Sequence, residues 1–143
     1  MGKKVLYLVS WYPDEENPNS GVFIKRHAES VSPFYEIIIL YVTYKKNIAT
    51  KKREYQHDKN IHIYCLFLPI NLEKYSIVRY IKCRLINKYL YLLIFLLYTC
   101  KMYKEIIRAH GYPNLIHVNV MCTEMTNMVF FAFLIRIIYK IPY

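Results

Sequence analysis

The feature that most constrains the fold is the alternation, along the chain, of short apolar segments with segments of helical periodicity. The first apolar segment, Val5–Val9, has no charged residue, which is typical of a strand covered on both faces of a parallel sheet. The pattern predicts strands at Lys3–Ser10, Tyr35–Tyr44, Ile61–Leu68 and Leu115–Met121, and helices at Val22–Val31 and Thr123–Lys140. Glu73–His110 is also helical in character, as two helices or as one bent helix. This order favours a doubly wound, mostly parallel α/β sheet.

Two polar segments are predicted to be loops. Trp11–Ser20 contains proline, asparagine and acidic residues, and Lys45–Asn60 is polar and basic, which indicates a mobile connection. Ser20 is predicted to cap the first helix, because its hydroxyl can accept an amide hydrogen of the first turn. That helix is expected to end before Pro33.

The chain has 143 residues, which favours one domain, and it is strongly basic. Lys and Arg number 20 against 10 Asp and Glu, so the formal charge is +10. Such a charge favours anionic partners, nucleic acid or a membrane surface among them. The joint abundance of Ile, Lys, Tyr and Asn, which an AT-rich coding sequence favours, is an alternative explanation for much of the excess.

Glycine and cysteine usage excludes several classes of site. The glycines, Gly2, Gly21 and Gly111, are too far apart for the G-x-G-x-x-G or Walker phosphate loops. The 4 cysteines include no C-x-x-C pair, which excludes a zinc ribbon or a thioredoxin-type site. Scattered thiols of this kind predict reduced core residues of a cytoplasmic protein.

No segment has the length expected of a membrane-spanning helix. Val5–Val9 is too short for a signal peptide, and the longest apolar run, Tyr89–Cys100, is shorter than the roughly 20 residues that a span needs. Basic and aromatic residues in Ser76–Arg108 favour a helix on an anionic membrane surface. A helix buried between the sheet and a partner domain is the alternative.

Both ends of the chain resemble one enzyme family. Val5–Pro13, which ends in Trp-Tyr-Pro, and Asn17–Glu29, which reads NPNSGVFIKRHAE, resemble the opening of family-4-type glycosyltransferases with the GT-B fold. Pro113–Asn119 is similar to that family's strand with a P-D-(L/I)-I-H pattern, and Ile141–Tyr143 is similar to the start of its next strand. Lys45–Arg108 matches the family in pattern only.

The resemblance implies a transferase with two Rossmann-like domains that face a cleft. Residues 1–143 are then expected to be an incomplete, acceptor-side N-terminal domain, without the donor-binding domain and its Glu-x₇-Glu signature. Such enzymes move a sugar from a nucleotide-sugar donor to a glycan or lipid-linked acceptor, as in cell-envelope polysaccharide synthesis. They work in the cytoplasm, some at the inner membrane surface. No cofactor beyond the donor is implied, no catalytic residue is assigned, and this chain alone is expected to be inactive.

The best candidate site is the Asn17–Gly21 loop, where Asn19, Ser20 and Gly21 are expected to contact substrate. Loops at the carboxyl ends of parallel strands line the ligand crevice, and a helix start favours an anion such as a sugar diphosphate. Gly21 allows a ligand to approach the backbone closely. In the family, the equivalent loop faces the donor diphosphate and the acceptor. An ordinary strand-to-helix connection is the alternative.

Basic residues of the first helix extend this candidate site. Lys25 and Arg26, followed by His27, lie on its first turns and are expected to bind phosphate or to steer an anionic acceptor. A solvated helix face is the alternative for all three.

The fourth predicted strand carries the remaining candidates. His117 and Asn119 are two residues apart and therefore share one sheet face. Asn119 and Glu124 are expected to reach a bound sugar if the loop at Met121–Thr123 lines the crevice. The alternative for His117 is an internal, hydrogen-bonded histidine.

Neither a metal site nor a hydrolytic centre is predicted. His57, His62 and Cys65 have the spacing H-x₄-H-x₂-C, but no carboxylate cluster or cysteine pair supports them. The acids of Asp14–Glu16 lack the second carboxylate that glycoside hydrolysis needs. No G-x-S-x-G nucleophile elbow occurs.

The alternative functions are non-enzymatic. A nucleic-acid binder would use the basic charge for phosphate contacts and the 16 tyrosines for base stacking, although no RNP, KH or zinc signature occurs. A basic membrane-surface protein without a catalytic role is the other alternative.

Overall fold

The computed structural model describes residues 2–46, 48–69, 84–119 and 128–142, which contain five strands and three helices. The strands are β1 (Lys4–Val9), β2 (Glu36–Lys45), β3 (Lys52–Asp58), β4 (Ile61–Pro69) and β5 (Leu115–Asn119), and the helices are α1 (Val22–Val31), α2 (Arg84–His110) and α3 (Met128–Tyr139). The predicted helix starts at Glu73 and Thr123 and the predicted strand end at Met121 lie outside the described residues.

The strands form one mixed, mostly parallel sheet in the order β3-β4-β2-β1-β5. β1 pairs in parallel with β2 and β5, β2 pairs in parallel with β4, and only the β3–β4 pair among these strands is antiparallel. The four parallel strands thus lie in the order third, second, first, fourth along the chain, as in one half of a Rossmann-like sheet. The predicted α/β class is confirmed. The order reverses between β1 and β5, and open sheets of this kind bind ligands beyond the carboxyl ends of such a strand pair.

Helices cover both faces of the sheet, which explains why β1 is apolar at nearly every position. Leu6 belongs to a core shared with α2 and α3, and its neighbour Tyr7 belongs to a second core shared with α1. α1 contributes Ile24 and Ala28 to this second core at a spacing of one helical turn. The two cores share no residue, so the sheet is the central layer of three.

β3 corrects the sequence-based prediction of a mobile loop over Lys45–Asn60. Lys52–Asp58 pairs with β4 through a hairpin whose turn is Lys59–Asn60. β3 lies at the sheet edge, and nearly all of its positions are exposed. A strand that is exposed on both faces needs no alternating apolar pattern, so its polar sequence is indistinguishable from that of a loop.

The outer faces of α2 and α3 are apolar and exposed. Tyr89, Leu93 and Leu97 lie at four-residue spacing on α2, and we call these three residues the α2 stripe. On α3 the exposed apolar side chains are Val129, Phe130, Phe133, Ile137 and Ile138. None of the helices within the described ranges combines the length and the hydropathy that crossing a bilayer requires.

Candidate functional site

The loop that joins β1 to α1 is fixed to the sheet by a buried ion pair. One Asp14 carboxylate oxygen accepts the backbone N–H groups of Glu16 (2.9 Å) and Asn17 (3.0 Å), which folds the segment into a turn. The other oxygen lies 3.2 Å from Nζ of Lys45, the last residue of β2. The side chains of Asp14 and Lys45 are only 7% and 11% exposed. The pair therefore holds the loop at the carboxyl edge of the sheet.

Gly21 is required by the way this loop packs on itself. Its φ of +67° lies in the left-handed region that favours glycine. A Cβ atom at this position would lie 2.9 Å from the Trp11 carbonyl oxygen and 3.1 Å from the Tyr12 Cα atom. Both contacts are with backbone, which cannot rotate away as a side chain can. Glycine at position 21 is therefore explained by the contact of the loop with its own backbone, and the expected contact with a ligand stays a prediction.

The prediction that Ser20 caps α1 is wrong. Gly21 occupies the N-cap position, and no side chain donates or accepts a capping hydrogen bond there. The Gly21 carbonyl instead accepts the first intrahelical bond, from the Ile24 amide at 2.9 Å. The backbone amide of Ser20 donates to the Asn17 carbonyl oxygen at 3.1 Å, so Ser20 belongs to the turn before the helix. The first turn of α1 is left without a side-chain cap and without an acidic residue, which suits an anion.

The remaining loop and helix candidates are exposed. Asn19 lies in the turn before the helix, and Lys25 and Arg26 lie on the side of α1 away from the sheet. Lys25 forms a loose pair with Glu29 one turn later, at 4.0 Å. Both side chains are accessible from solvent, as in the solvated-face alternative, and an anionic partner could reach them.

His117 lies in the middle of β5 beside Tyr7 of β1, in a group of rings on the α1 face of the sheet. Its ring centroid is 4.8 Å from that of Tyr7 and 5.4 Å from that of His27. The Tyr7 hydroxyl is 3.5 Å from His27 Nδ1. With Lys4 and Tyr35, these three residues line a cavity of about 480 Å³ on the α1 face. His27 is thus the residue of the basic helix segment that the structure brings to His117.

The environment of His117 favours its neutral form. Burial lowers the pKa of His117 and the neighbouring His27 lowers it further, whereas a side-chain hydrogen bond with Asn119 acts in the opposite direction. Burial also raises the pKa of Tyr7, so its hydroxyl keeps its proton. Tyr7 and His117 therefore present neutral hydrogen-bonding groups to the cavity, which Lys4 also lines.

Asn119 lies at the carboxyl edge between β1 and β5, as predicted. It pairs with Val9, and its carbonyl oxygen accepts the Ser10 amide at 3.1 Å. Its side-chain Nδ2 atom is buried and has no hydrogen-bond partner within the described part of the chain. An unpaired buried donor costs about 1–3 kcal/mol, so this position favours an acceptor atom beside it. Glu124, the expected companion of Asn119, lies outside the described residues.

The acids of the first loop meet another acid from β3, which the sequence did not indicate. Glu54 lines a cavity of about 190 Å³ together with Asp14, Glu15 and Glu16. Lys52 lies 2.6 Å from the Glu54 carboxylate, just as Lys45 pairs with Asp14. Lysines therefore offset these carboxylates, which does not suit the acid and base pair of a glycoside hydrolase.

The side chains of His57, His62 and Cys65 do not come together as a metal site. His62 and Cys65 are three residues apart on β4, so their side chains lie on opposite faces of the sheet. Cys65 is buried in the α1-face core, and burial raises the pKa of its thiol to about 12. His62 instead meets Glu36 and His110, which come from two other elements. No sequence spacing reveals this second group, because it depends on the register of β2 against β4.

Comparison with models of known protein families finds no match, and comparison with curated proteins finds no relative either.

Proposed function

We propose that this chain is part of the acceptor-side domain of a family-4-type GT-B glycosyltransferase. The reaction would transfer a sugar from a nucleotide-sugar donor to a glycan or a lipid-linked acceptor. The observation that supports this best is the position of the Gly21 loop, which lies at the carboxyl edge where the strand order reverses between β1 and β5. The loop also carries the sequence that resembles the family, so topology and motif agree.

In this proposal the described residues bind and orient the substrates. The uncapped start of α1 offers amide hydrogens and a partial positive charge to a diphosphate or an anionic acceptor. The unpaired Nδ2 of Asn119 donates to a sugar oxygen at the same edge. Lys25 and Arg26 attract anionic groups from solvent. Catalysis would rest on holding donor and acceptor in reacting geometry and on stabilising the departing diphosphate, for which a donor-binding domain is also needed.

The decisive observation is the DNA that follows the Tyr143 codon. We expect a frame, continuous or shifted, that encodes a second α/β unit with a Glu-x₇-Glu motif. The joined polypeptide should transfer sugar from a nucleotide sugar, and Asn119→Ala should reduce that transfer. Ser30→Ala, on the exposed side of α1, is the matched control. A downstream region without such a unit, or a joined protein that neither binds nor consumes any nucleotide sugar, would overturn the proposal.

A membrane-surface role is the second candidate, and the α2 stripe favours it. Tyr89, Leu93 and Leu97 are exposed and are followed on the same helix by exposed Lys101 and Lys104. An apolar strip beside lysines suits the interface of an anionic bilayer. This role is compatible with a lipid-linked acceptor and with a cytoplasmic protein at the inner membrane surface.

Vesicle sedimentation tests the membrane role. The chain should sediment with vesicles that contain phosphatidylglycerol and much less with phosphatidylcholine alone. Replacing Leu93 and Leu97 by Ser should abolish the difference, whereas Phe34→Ser, an exposed apolar change away from the stripe, should not. Equal sedimentation with both lipids would reject the role. A preference for single-stranded DNA over vesicles would favour the nucleic-acid alternative.

A further inference from the structure

A second group of polar side chains lies at the opposite, amino-terminal edge of the sheet. Glu36 is the first residue of β2, His62 is the second residue of β4, and His110 is the last residue of α2. The parallel register of β2 and β4 places the two strand starts side by side, and the end of α2 closes over them. The three residues therefore lie at the edge of the sheet opposite the Gly21 loop.

The ligand atoms of this group converge on one carboxylate oxygen. Nδ1 of His110 lies 2.9 Å from Oε1 of Glu36, and Nε2 of His62 lies 3.8 Å from the same oxygen. One nitrogen or oxygen atom from each residue lies within 4.8 Å of the others. All three residues are half-buried, so they are shielded from bulk water but open to an ion that enters from solvent.

Two tyrosine hydroxyls orient the two imidazole rings. The Tyr55 hydroxyl lies 3.0 Å from Nδ1 of His62, and the Tyr64 hydroxyl lies 2.8 Å from Nε2 of His110. In each ring, the nitrogen that does not face Glu36 is therefore the one held by a hydroxyl. Metal-binding histidines are fixed in this way, because the outer hydrogen bond sets both the tautomer and the direction of the ring.

We propose that Glu36, His62 and His110 bind a divalent zinc-type ion. Two imidazoles and one carboxylate form a ligand set that suits Zn²⁺ and leaves a fourth position for water or a ligand. Both rings would bind the ion through the nitrogen that faces Glu36. The proton of His110 would then lie on Nε2 and donate to the Tyr64 oxygen, and the proton of His62 would lie on Nδ1 and donate to the Tyr55 oxygen.

The surrounding charges are compatible with this assignment. Lys4 Nζ lies 3.5 Å from Oε2 of Glu36 and also donates to the His110 carbonyl oxygen. Lys4 therefore contacts Oε2, and Oε1, which faces both histidines, stays available to the ion.

Titration of the tag-free chain with Zn²⁺ against a chromogenic chelator tests the proposal. We expect one ion per chain, and a Co²⁺ complex with the visible absorption of a four-coordinate site. His62→Ala and Glu36→Gln should each weaken binding strongly. Tyr55→Phe should weaken it by about ten- to a hundredfold, because the ring loses its outer hydrogen bond. Circular dichroism of each variant separates loss of ligand from loss of fold.

His57→Ala is the matched control, because His57 stacks on His62 with ring centroids 4.5 Å apart but is not part of the converging group. Its affinity for Zn²⁺ should equal that of the parent. If His57→Ala and His62→Ala weaken binding equally while Glu36→Gln does not, the ion is held by a surface histidine pair and the proposal is wrong. It is also overturned if the folded parent shows no Zn²⁺ binding.

Discussion

At the scale of single residues, Gly21 combines a left-handed backbone conformation with a close contact to the backbone of Trp11 and Tyr12. Its left-handed φ and its contact with the Trp11 carbonyl leave no space for a side chain. Gly111 offers a natural comparison, since its φ is +79° but no atom lies within 4 Å of the position of its Cβ. The two glycines therefore separate the cost of the conformation from the cost of the contact.

We expect Gly21→Ala to lower the unfolding free energy by about 2–4 kcal/mol, because it adds displacement of the backbone to the left-handed penalty. Gly111→Ala should cost only the penalty of the left-handed conformation, about 1–2 kcal/mol of unfolding free energy. Urea denaturation of both variants beside the parent measures the difference. Equal losses would show that the Trp11 contact does not restrict position 21.

Two histidines should make stability depend on pH below neutrality. Burial lowers the pKa of both His62 and His117. The unfolded chain binds these protons at a pKa of about 6.5, so the unfolded state gains protons first as the pH falls. Stability should therefore be full above about pH 7 and should decline toward pH 5. Glu36, whose pKa is lowered overall, adds a further loss at still lower pH.

Urea denaturation between pH 7.5 and pH 5 tests this dependence. The decline in unfolding free energy should be smaller in His117→Gln than in the parent, because the variant has lost one of the two titrating groups. A parent whose stability is constant over this range would contradict the prediction.

At the scale of elements, the link between the first loop and β2 is the strongest local constraint on the candidate substrate site. Asp14 and Glu16 both pair with Lys45, at 3.2 Å and 3.4 Å, but their side chains are 7% and 46% exposed. Asp14→Ala should cost about 3 kcal/mol, since it leaves Lys45 buried with one exposed partner and breaks the turn. Glu16→Ala should cost less than about 1 kcal/mol. Thermal and urea unfolding of both variants measure the two losses of unfolding free energy. Similar losses would mean that the difference in burial between the two acids does not affect stability.

The elements that the sequence predicted well are those with a buried face. The helix over Val22–Val31 has the predicted bounds, and the strands that start near Lys3, Tyr35 and Ile61 agree within a residue at that end. Their apolar patterns are imposed by the two cores, so the patterns are visible in the sequence. β3 has no such face and was missed. The cap at Ser20 was wrong because the chain turns through Gly21, whose conformation no hydrophobic pattern encodes.

At the scale of the whole molecule, the sequence indicated which residues share a strand face but not which residues meet across elements. His117 and Asn119 lie on one face of β5 and share a side-chain hydrogen bond, whereas the cavity that brings His27 of α1 to His117 was not indicated. The Glu36, His62 and His110 group joins residues that are far apart in the chain. Such groups depend on strand order and register, which arise from long-range pairing and not from local spacing.

The apolar outer face of the molecule leads to a prediction about its behaviour in solution. The α2 stripe and the exposed apolar residues of α3 are the kind of surface that monomeric proteins keep small. We expect the isolated chain to bind a hydrophobic dye and to self-associate as its concentration rises.

Replacing Leu93 and Leu97 by Ser should reduce both effects, because the stripe loses two of its three apolar side chains. Phe34→Ser removes an exposed aromatic ring elsewhere and should change neither. Light scattering and dye fluorescence measure the two effects, and a parent chain that stays monomeric without binding dye would show that this surface needs no partner.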